Sequence, residues 1–560
     1  MLALHGAAGL VCCRPVVRLP VVGTLARVHV AQAPAGGLAR RGLRCAAMAQ
    51  DAGCSMNVAV VGAGASGLVM ARELLAEGHR VTVFEASDSM GGVWVLDPNT
   101  ESDPLGADAG RSLVHSSMYE SLRTNLPREV MSYLDMPFIP EAMAGRSIDT
   151  RRFCGHEEVL VYLQEYARRH CLEEVIRYER QVLQALPLLE PSADGASAPA
   201  CTGWEIVHQP ASTGVAQDAN DATPSSEHFD ALVVANGHYS LPNLPDPPLP
   251  GSDSWPGTQM HAHNYRNPAS FAGKVVVVVG AQSSGEDISR EVATVADRVY
   301  LSAKKWQNPA WAQDTTPFGP KGNMYRRNNL CRLDADGSVE FEGGMTADGV
   351  DVVLYCTGYK YNFPFLRDAG VVSVDKGRVE PLYEQVFVPQ LAPRLAFIGL
   401  PFNVVAFHLF HMQSKWVARA LSGRAPLPHD IVEQTEAFYR AADEAGVPGR
   451  YVHEMKDKQW DYINRMADYC GDVPHLPAWR REMYLANSKN KRTNPEVYRD
   501  HQEDSALVAA AGEEFASWLE AHSASADAAP ALPQSPSASS PSLFADAGTS
   551  SDATGFRGWS

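Results

Sequence analysis

A strand, glycine turn, helix and strand occur twice in this chain with the same internal spacing. The turns read Gly62-Ala-Gly64-Ala-Ser66-Gly67 and Gly280-Ala-Gln282-Ser-Ser284-Gly285. In each copy the second strand begins 19 positions after the first glycine, at Val81 (62 to 81) and at Val299 (280 to 299). Buried β-branched strands that alternate with helices form parallel sheets, so the repeat predicts two Rossmann-type folds.

A second repeated pattern resembles the closing strand of each fold. The segments 230–237 and 351–358 both read as an acid, five mostly apolar residues, a small polar residue and glycine. The second glycine motif lies between these segments, so we expect one fold to be inserted into the other. The fold class is then α/β, with a first domain at 54–240 and an inserted domain at 241–349. The first domain resumes with a helical C-terminal region at 350–520.

Charge and cysteine usage argue against several kinds of site. The formal net charge is −17, and residues 1–50 contribute +6 from six arginines without any acid, which leaves the rest near −23. An acidic body disfavours nucleic acid as a partner. The cysteines form no CxxC pair, so no zinc ribbon or dithiol site is expected. His408 and His411 lack a nearby acid or cysteine, and we predict no metal site.

The two ends of the chain differ from its body in composition. Residues 1–50 are rich in arginine and alanine, which is typical of an organellar transit peptide for a plastid or a mitochondrion. The alternative is a disordered extension or a misassigned start, which would leave the protein in the cytoplasm. Residues 521–560 are rich in Ala, Ser and Pro and are predicted to be disordered. No uninterrupted apolar stretch of about 18 residues predicts a transmembrane segment.

The first glycine motif is expected to bind FAD. Gly62, Gly64 and Gly67 allow the tight turn, the close backbone approach and the helix packing that a dinucleotide pyrophosphate requires, and Ser66 lies in the same turn. Glu85, 23 positions after Gly62, ends the next strand, where a carboxylate binds a ribose hydroxyl and repels a 2′-phosphate. A Rossmann fold without a ligand is the alternative.

The second glycine motif is expected to bind NADPH. Position 303, 23 residues after Gly280, is alanine, and Lys304 and Lys305 follow it. Cationic donors without a carboxylate suit a 2′-phosphate, although the two lysines could also be merely solvated. Ser284 and Gly285 complete the turn.

One residue of the second motif departs from the usual pattern. Gln282 stands where the middle glycine is expected. Its Cβ is expected to crowd the pyrophosphate, so that either the backbone lies farther away or the cofactor is shifted.

The segment between the motifs resembles a known family. Trp255-Pro-Gly257-Thr-Gln-Met-His261-Ala-His-Asn-Tyr265 matches the FxGxxxHxxxY fingerprint of flavin-containing monooxygenases, with Trp for the leading Phe. The closing tyrosine favours this family over Baeyer–Villiger enzymes. We interpret His261 as a buried structural histidine that ties the linker to both domains.

Further segments are similar to the same family. They are Gly91-Gly92-Val-Trp94, which resembles an FAD-contacting glycine pair; 122–133, which includes Asn125; and 355–366, which includes Thr357 and Gly358. Two others, 413–424 and 451–471, resemble the plant-type branch that includes glucosinolate S-oxygenases.

This resemblance implies an FAD- and NADPH-dependent monooxygenase. In the family NADPH reduces FAD, O₂ adds to give a C4a-hydroperoxyflavin, and a soft sulfur or nitrogen nucleophile takes the distal oxygen. The same resemblance implies that Asn125 lies beside the flavin and the nicotinamide and is the catalytic residue. The expected partners are a small-molecule substrate and O₂.

Three alternatives share parts of this pattern. A flavin disulfide reductase needs a redox cysteine pair that the sequence lacks. An auxin-type decarboxylating monooxygenase would act on an indolic 2-oxo acid with the same cofactors. A non-catalytic flavoprotein would keep the folds without the reaction. The sequence leaves open the substrate, the choice of sulfur or nitrogen, and the oligomeric state.

Overall fold

The computed structural model describes residues 55–108, 110–191, 200–211, 223–306 and 308–526. The transit peptide expected at 1–50 lies outside these residues. The tail expected to be disordered from 521 is corrected in its first part, because the last helix continues to Ala526. Two residues of this helix fix it to the rest of the fold. Phe515 is buried, and the indole of Trp518 donates a hydrogen bond of 2.7 Å to the carbonyl of Asp135. The remainder, 527–560, lies outside the described residues.

Twenty strands occur in the described part of the chain. They are β1 (Asn57–Val61), β2 (Arg80–Phe84), β3 (Ile176–Arg177), β4 (Arg180–Glu190), β5 (Ala200–Pro210), β6 (Ser225–Phe229), β7 (Ala231–Val234), β8 (Leu241–Pro242), β9 (Thr258–His261), β10 (Val275–Val279), β11 (Arg298–Ser302), β12 (Met324–Arg327), β13 (Leu330–Leu333), β14 (Val339–Phe341), β15 (Met345–Ala347), β16 (Val352–Tyr355), β17 (Tyr359–Lys360), β18 (Ser373–Asp375), β19 (Arg378–Glu380) and β20 (Leu395–Phe397).

Eight α-helices accompany these strands in the same residues. They are α1 (Ala65–Ala76), α2 (His156–Arg169), α3 (Ser283–Ala293), α4 (Ala406–Ser422), α5 (Ile431–Glu444), α6 (Gln459–Cys470), α7 (Ala478–Thr493) and α8 (Ser505–Ala526). None of the described helices is both long and apolar enough to span a membrane.

The first fold is a parallel sheet between a helical layer and an antiparallel sheet. Its strand order is β20-β7-β1-β2-β3, with every pair parallel. Successive side chains of a strand face opposite sides. Val58 and Val60 therefore pack with α1, while Ala59 and Val61 pack with the antiparallel sheet β4-β5-β6.

The second fold repeats this architecture. Its sheet has the order β12-β11-β10-β16-β9, again all parallel. Val276 and Val278 pack with α3, and Val277 and Val279 pack with the sheet β13-β14-β15. The predicted α/β class with two Rossmann-like folds is confirmed.

The two folds have the same topology, and equivalent hydrogen bonds occur in each of them. The carboxylate of Asp230 accepts a bond of 2.7 Å from the amide of Asn57, and that of Asp351 accepts one of 2.8 Å from Val275. The repeated acid in the sequence therefore anchors the first residue of each central strand. The first glycine of each turn also donates a bond of 2.8 Å to the end of the neighbouring strand.

The structure corrects the boundary expected at 349/350. Strand β16 pairs with β10, so residues 352–355 belong to the second fold rather than to the returning first fold. The two crossover segments lie side by side as the antiparallel pair β8 and β17. The first fold resumes after this pair, and β20 completes its sheet. The expected boundary was too early because β16, the last strand of the inserted sheet along the chain, lies between β10 and β9.

Candidate active site

The first glycine turn is closed by backbone contacts that exclude any side chain. Gly62 has φ of +104°, and a Cβ there would lie 2.6 Å from the carbonyl oxygen of Ala235. A Cβ on Gly67 would lie 1.8 Å from the carbonyl oxygen of Gly62. Both glycines are therefore required by the protein's own packing, which brings the start of α1 directly beneath the turn.

The middle of this turn is open and is lined by backbone. Gly64 precedes α1, and the first turn of the helix has neither a side-chain cap nor an acid. Its free N–H groups form an anion site. A Cβ on Gly64 would meet only Gly92, at 3.6 Å, so space remains between the two glycine segments. This arrangement fits the pyrophosphate of FAD. The Ser66 hydroxyl donates to the carbonyl of Ala235 at 3.4 Å, and Ser66 lies in the first turn of α1, where backbone N–H groups have no partner within the helix.

Glu85 lies at the tip of β2, beside the first glycine turn. Its carboxylate accepts a hydrogen bond of 2.7 Å from the amide of Ala63 and further bonds from the amide and hydroxyl of Ser87. The side chain is therefore fixed where an adenosine ribose would lie. Trp94 is half-buried and ends the short helix that begins at Gly92.

The second glycine turn has the same closed geometry. A Cβ on Gly280 would lie 2.4 Å from the carbonyl oxygen of Cys356, and one on Gly285 would lie 1.7 Å from that of Gly280. Gln282 has φ −90° and ψ −171°, close to the −76° and −173° of Gly64. Gln282 therefore adopts nearly the same backbone conformation as Gly64, and both expected consequences of its Cβ for the cofactor stay predictions. Ser284 is exposed in the first turn of α3.

The cationic end of β11 faces solvent. The amide of Ala303 donates to the carbonyl of Arg327 at 3.2 Å, as the amide of Glu85 does to Arg177 at 3.0 Å. Ala303 therefore occupies the position that Glu85 has in the first fold. Lys304 and Lys305 are exposed directly after it, and neither forms an ion pair with another described residue. This end of the sheet fits the 2′-phosphate of NADPH.

Thr357 and Gly358 hold the crossover between the folds. The amide of Asn243 donates to the carbonyl of Gly358 at 2.9 Å, and the Thr357 hydroxyl donates to the carbonyl of Asn243 at 2.5 Å. Beside them His261 is fully buried, and its Nδ1 accepts a bond of 3.1 Å from the amide of His263. Burial, together with the nearby His263, lowers the pKa of His261 to about 3. A neutral, enclosed ring supports the structural interpretation.

Asn125 lies where the two folds meet. Its Nδ2 is 3.4 Å from the hydroxyl of Ser283, which follows Gln282 at the start of α3. Its carbonyl accepts a bond of 3.0 Å from Nδ2 of Asn487. The structure thus brings the predicted catalytic side chain to the second glycine turn. The sequence does not predict Asn487, because no motif or spacing links it to Asn125.

The histidines considered as metal ligands have separate partners. Nε2 of His408 accepts a bond of 2.9 Å from Arg480, whereas Nε2 of His411 donates one of 2.8 Å to Glu73. Glu73, Asp135 and His411 do lie together, with one ligand atom of each within 4.8 Å of the others. Arg72 and Lys415 pair with the carboxylates of this cluster. It is therefore an internally neutralised ion-pair network.

A surface groove of about 690 Å³ lies between the hairpin β18–β19 and helix α5. Its charged rim is paired internally, since Arg378 contacts Asp443 at 2.6 Å and Glu380 at 2.9 Å. The groove contains none of the predicted site residues, and we assign it no part in the reaction.

Comparisons with known proteins agree with this geometry. A sequence model of the flavin-binding monooxygenase-like family matches residues 55–314 and 321–485. Flavin-containing monooxygenase FMO GS-OX-like 4 of Arabidopsis thaliana is 44% identical over 464 residues, which cover 82% of this chain and 97% of that protein. FMO GS-OX2 of the same plant is 42% identical over 472 residues, with coverage of 84% and 97%.

A solved structure extends this similarity to three dimensions. S-allyl-L-cysteine S-oxygenase from Allium sativum is 43% identical, with a TM-score of 0.74, over 83% of this chain and 99% of that chain. The resemblance to the plant-type branch is therefore confirmed. The chain belongs to the flavin-binding monooxygenase-like family and is a flavin-containing monooxygenase.

Proposed function

We propose that the enzyme oxygenates the sulfur of a small thioether. Thioether, O₂, NADPH and a proton would give sulfoxide, water and NADP⁺, so that one oxygen atom enters the product and the other leaves as water. The observation that carries this proposal is the contact of Asn125 with Ser283, which joins the first fold to the second glycine turn. The S-oxygenase similar to this chain favours sulfur over nitrogen as the acceptor.

The residues of the chain would bind, orient and shield the reactants. When bound, FAD supplies the oxygen-activating chemistry after NADPH has reduced it, and the protein supplies placement and exclusion of water. The two helix N-termini, at Gly64 and Gln282, would hold the two pyrophosphates. The Asn125 amide would orient the reacting groups by hydrogen bonding. Neither a nucleophilic triad nor paired catalytic carboxylates are needed.

Replacing Asn125 with alanine tests its assigned role. We expect less sulfoxide per NADPH while NADPH oxidation continues and hydrogen peroxide rises, because an ill-placed reactive centre would release both oxygen atoms of O₂ together as hydrogen peroxide before one of them reaches the sulfur. Asn125→Asp keeps the shape but removes the amide donor, and it should behave like the alanine variant. Sulfoxide, peroxide and NADPH would be measured together in the presence of S-allyl-L-cysteine. An unchanged ratio of sulfoxide to NADPH would contradict the role.

Replacing both Lys304 and Lys305 with alanine tests the assignment of the 2′-phosphate. We expect the KM for NADPH to rise about tenfold or more, since charged hydrogen bonds contribute about 1.5–3 kcal/mol, and the KM for NADH to change little. Lys274→Ala is the matched control, because Lys274 precedes β10 at the opposite end of the same sheet. Equal losses with both cofactors would count against the assignment.

Decarboxylation of an indolic 2-oxo acid is the competing reaction. NADPH oxidation under air would be measured with a thioether, a tertiary amine and an indolic 2-oxo acid in parallel. Stimulation by the thioether with sulfoxide formation supports our proposal. Release of CO₂ from the 2-oxo acid without sulfoxide from the thioether would replace it with the decarboxylating reaction.

We also propose that residues 1–50 direct the enzyme to a plastid or a mitochondrion. The basis is their arginine-rich and acid-free composition. A fluorescent reporter fused behind these residues should be imported and shortened. A full-length reporter in the cytosol would contradict this localisation.

A further inference from the structure

The C-terminal arm, defined here as residues 487–500, contacts three successive backbone carbonyls next to the catalytic asparagine. Arg499 donates to the carbonyls of Arg123 and Thr124, and Asn487 donates to that of Asn125. We propose that Asn487 and Arg499 are positioning residues that fix Asn125 relative to the NADPH-binding fold and thereby set the yield of oxygenated product. This inference rests on the proposed function of Asn125.

Arg499 links the Asn125 segment to the second fold. Its Nε lies 2.9 Å from the carbonyl oxygen of Thr124, and its Nη2 lies 3.3 Å from that of Arg123. The same Nη2 is 2.6 Å from Oδ2 of Asp287 on α3. Both side chains are mostly buried, at 18% and 19% exposure, so the ion pair is shielded from solvent. The guanidinium of Arg499 therefore binds backbone carbonyls of the first fold and a carboxylate of the second fold.

Asn487 contacts the next carbonyl of the same segment, that of Asn125. It lies on α7 with 6% exposure, and its Nδ2 donates to the carbonyl of Asn125 at 3.0 Å. On the other side, the amide of Thr124 is bonded to the carbonyl of Cys154 at 2.9 Å. The backbone that carries Asn125 is thus held from two directions.

The need for such support follows from the contact that Asn125 makes. Its amide is 3.4 Å from Ser283, near the upper limit for a hydrogen bond. A displacement of about 1 Å would break this contact, and misplacements of that size can cost about 100-fold in an enzymatic step. Support of the backbone by the arm therefore acts on the geometry of the reaction, while the two cofactors stay bound by their own turns.

The same arm offers a matched control. Glu496 pairs with Arg290 of α3 at 2.9 Å, which also joins the arm to the second fold. This pair touches none of the carbonyls at 123–125, and Glu496 is 43% exposed. Glu496→Gln therefore weakens docking of the arm without releasing the Asn125 segment.

The test uses the holoenzyme with S-allyl-L-cysteine as the probe. Arg499→Ala and Asn487→Leu should each lower the ratio of sulfoxide to NADPH by about three- to tenfold and raise peroxide. Flavin content and the KM for NADPH should not change. Arg499→Lys should recover part of the ratio, and Glu496→Gln should match the wild type. Should Arg499→Ala not fold, Asn487→Leu and Arg499→Lys carry the test.

A double variant identifies the route of the effect. If Arg499 acts through Asn125, Arg499→Ala combined with Asn125→Ala should have the product ratio of Asn125→Ala alone. Multiplied losses would overturn the inference. So would wild-type ratios in Arg499→Ala and Asn487→Leu when Asn125→Ala is uncoupled, and in that case the proposed function would stand. A fully coupled Asn125→Ala enzyme would overturn both the role of Asn125 and the inference.

Discussion

A Gly67→Ala variant is expected to purify without FAD. The new methyl carbon would lie 1.8 Å from the carbonyl oxygen of Gly62, and both atoms belong to the rigid junction of β1 and α1. The helix must retreat, at a cost of about 1–3 kcal/mol, and its N-terminal N–H groups would move away from the pyrophosphate. The ratio of flavin absorbance to protein absorbance measures the effect, and circular dichroism checks that the fold persists.

The equivalent change in the second fold should have the complementary effect. A methyl on Gly285 would lie 1.7 Å from the carbonyl oxygen of Gly280. Gly285→Ala should therefore retain FAD but fail to be reduced by NADPH, whereas dithionite should still reduce its flavin. Loss of FAD from this variant would contradict the separate assignment of the two turns.

Gly64→Ala distinguishes an effect on FAD binding from an effect on the packing of the protein. Its Cβ would meet only Gly92, at the ordinary contact distance of 3.6 Å, and its backbone conformation is one that any residue adopts. The melting temperature should be unchanged while the affinity for FAD falls. Undiminished flavin binding would show that the pyrophosphate does not approach Gly64.

Loss of the Glu73 charge is expected to have the largest effect on stability. Glu73 is buried between α1 and α4, and its carboxylate contacts Arg72, His411 and Lys415 at 2.6–2.9 Å. Glu73→Gln would remove the carboxylate charge that Arg72 and Lys415 share, and removing one member of a buried ion pair costs about 3–5 kcal/mol. Urea unfolding measures the loss. The exposed Glu513→Gln on α8 should change stability little.

The same carboxylate should make the stability depend on pH in the acid range. Burial raises the pKa of Glu73, but His411, Lys415 and Arg72 outweigh it and hold that pKa well below its usual value. A lowered pKa in the folded state stabilises the protein above the unfolded value of about 4.3, and this contribution is lost as pH falls through the folded pKa. The wild type should therefore lose stability more steeply below about pH 4 than Glu73→Gln. Parallel curves would contradict the network.

Local sterics explain which features could be predicted from the sequence. Gly67 and Gly285 are required by backbone distances within one turn and helix, since a Cβ on either would meet the carbonyl of the first glycine of its own turn, so their spacing alone predicts the turn. The contrast between Glu85 and Ala303 is equally local, because each residue follows the last position of its own strand. The acids at 230 and 351 are visible in the sequence as a repeat, although only the tertiary structure shows that they anchor the central strands.

Contacts between distant segments were decided by the tertiary structure alone. Asn125 meets Ser283 across 158 residues of sequence, and Arg499 meets the carbonyl of Thr124 across 375. Helical and strand periods encode which face of an element is buried, but not which distant element covers it. The sequence by itself determined the two nucleotide-binding folds and the charge at the ends of β2 and β11, where the ribose of each nucleotide is expected. The packing of both folds against the C-terminal arm decided where Asn125 lies, because that position depends on hydrogen bonds to backbone carbonyls, which every residue type carries.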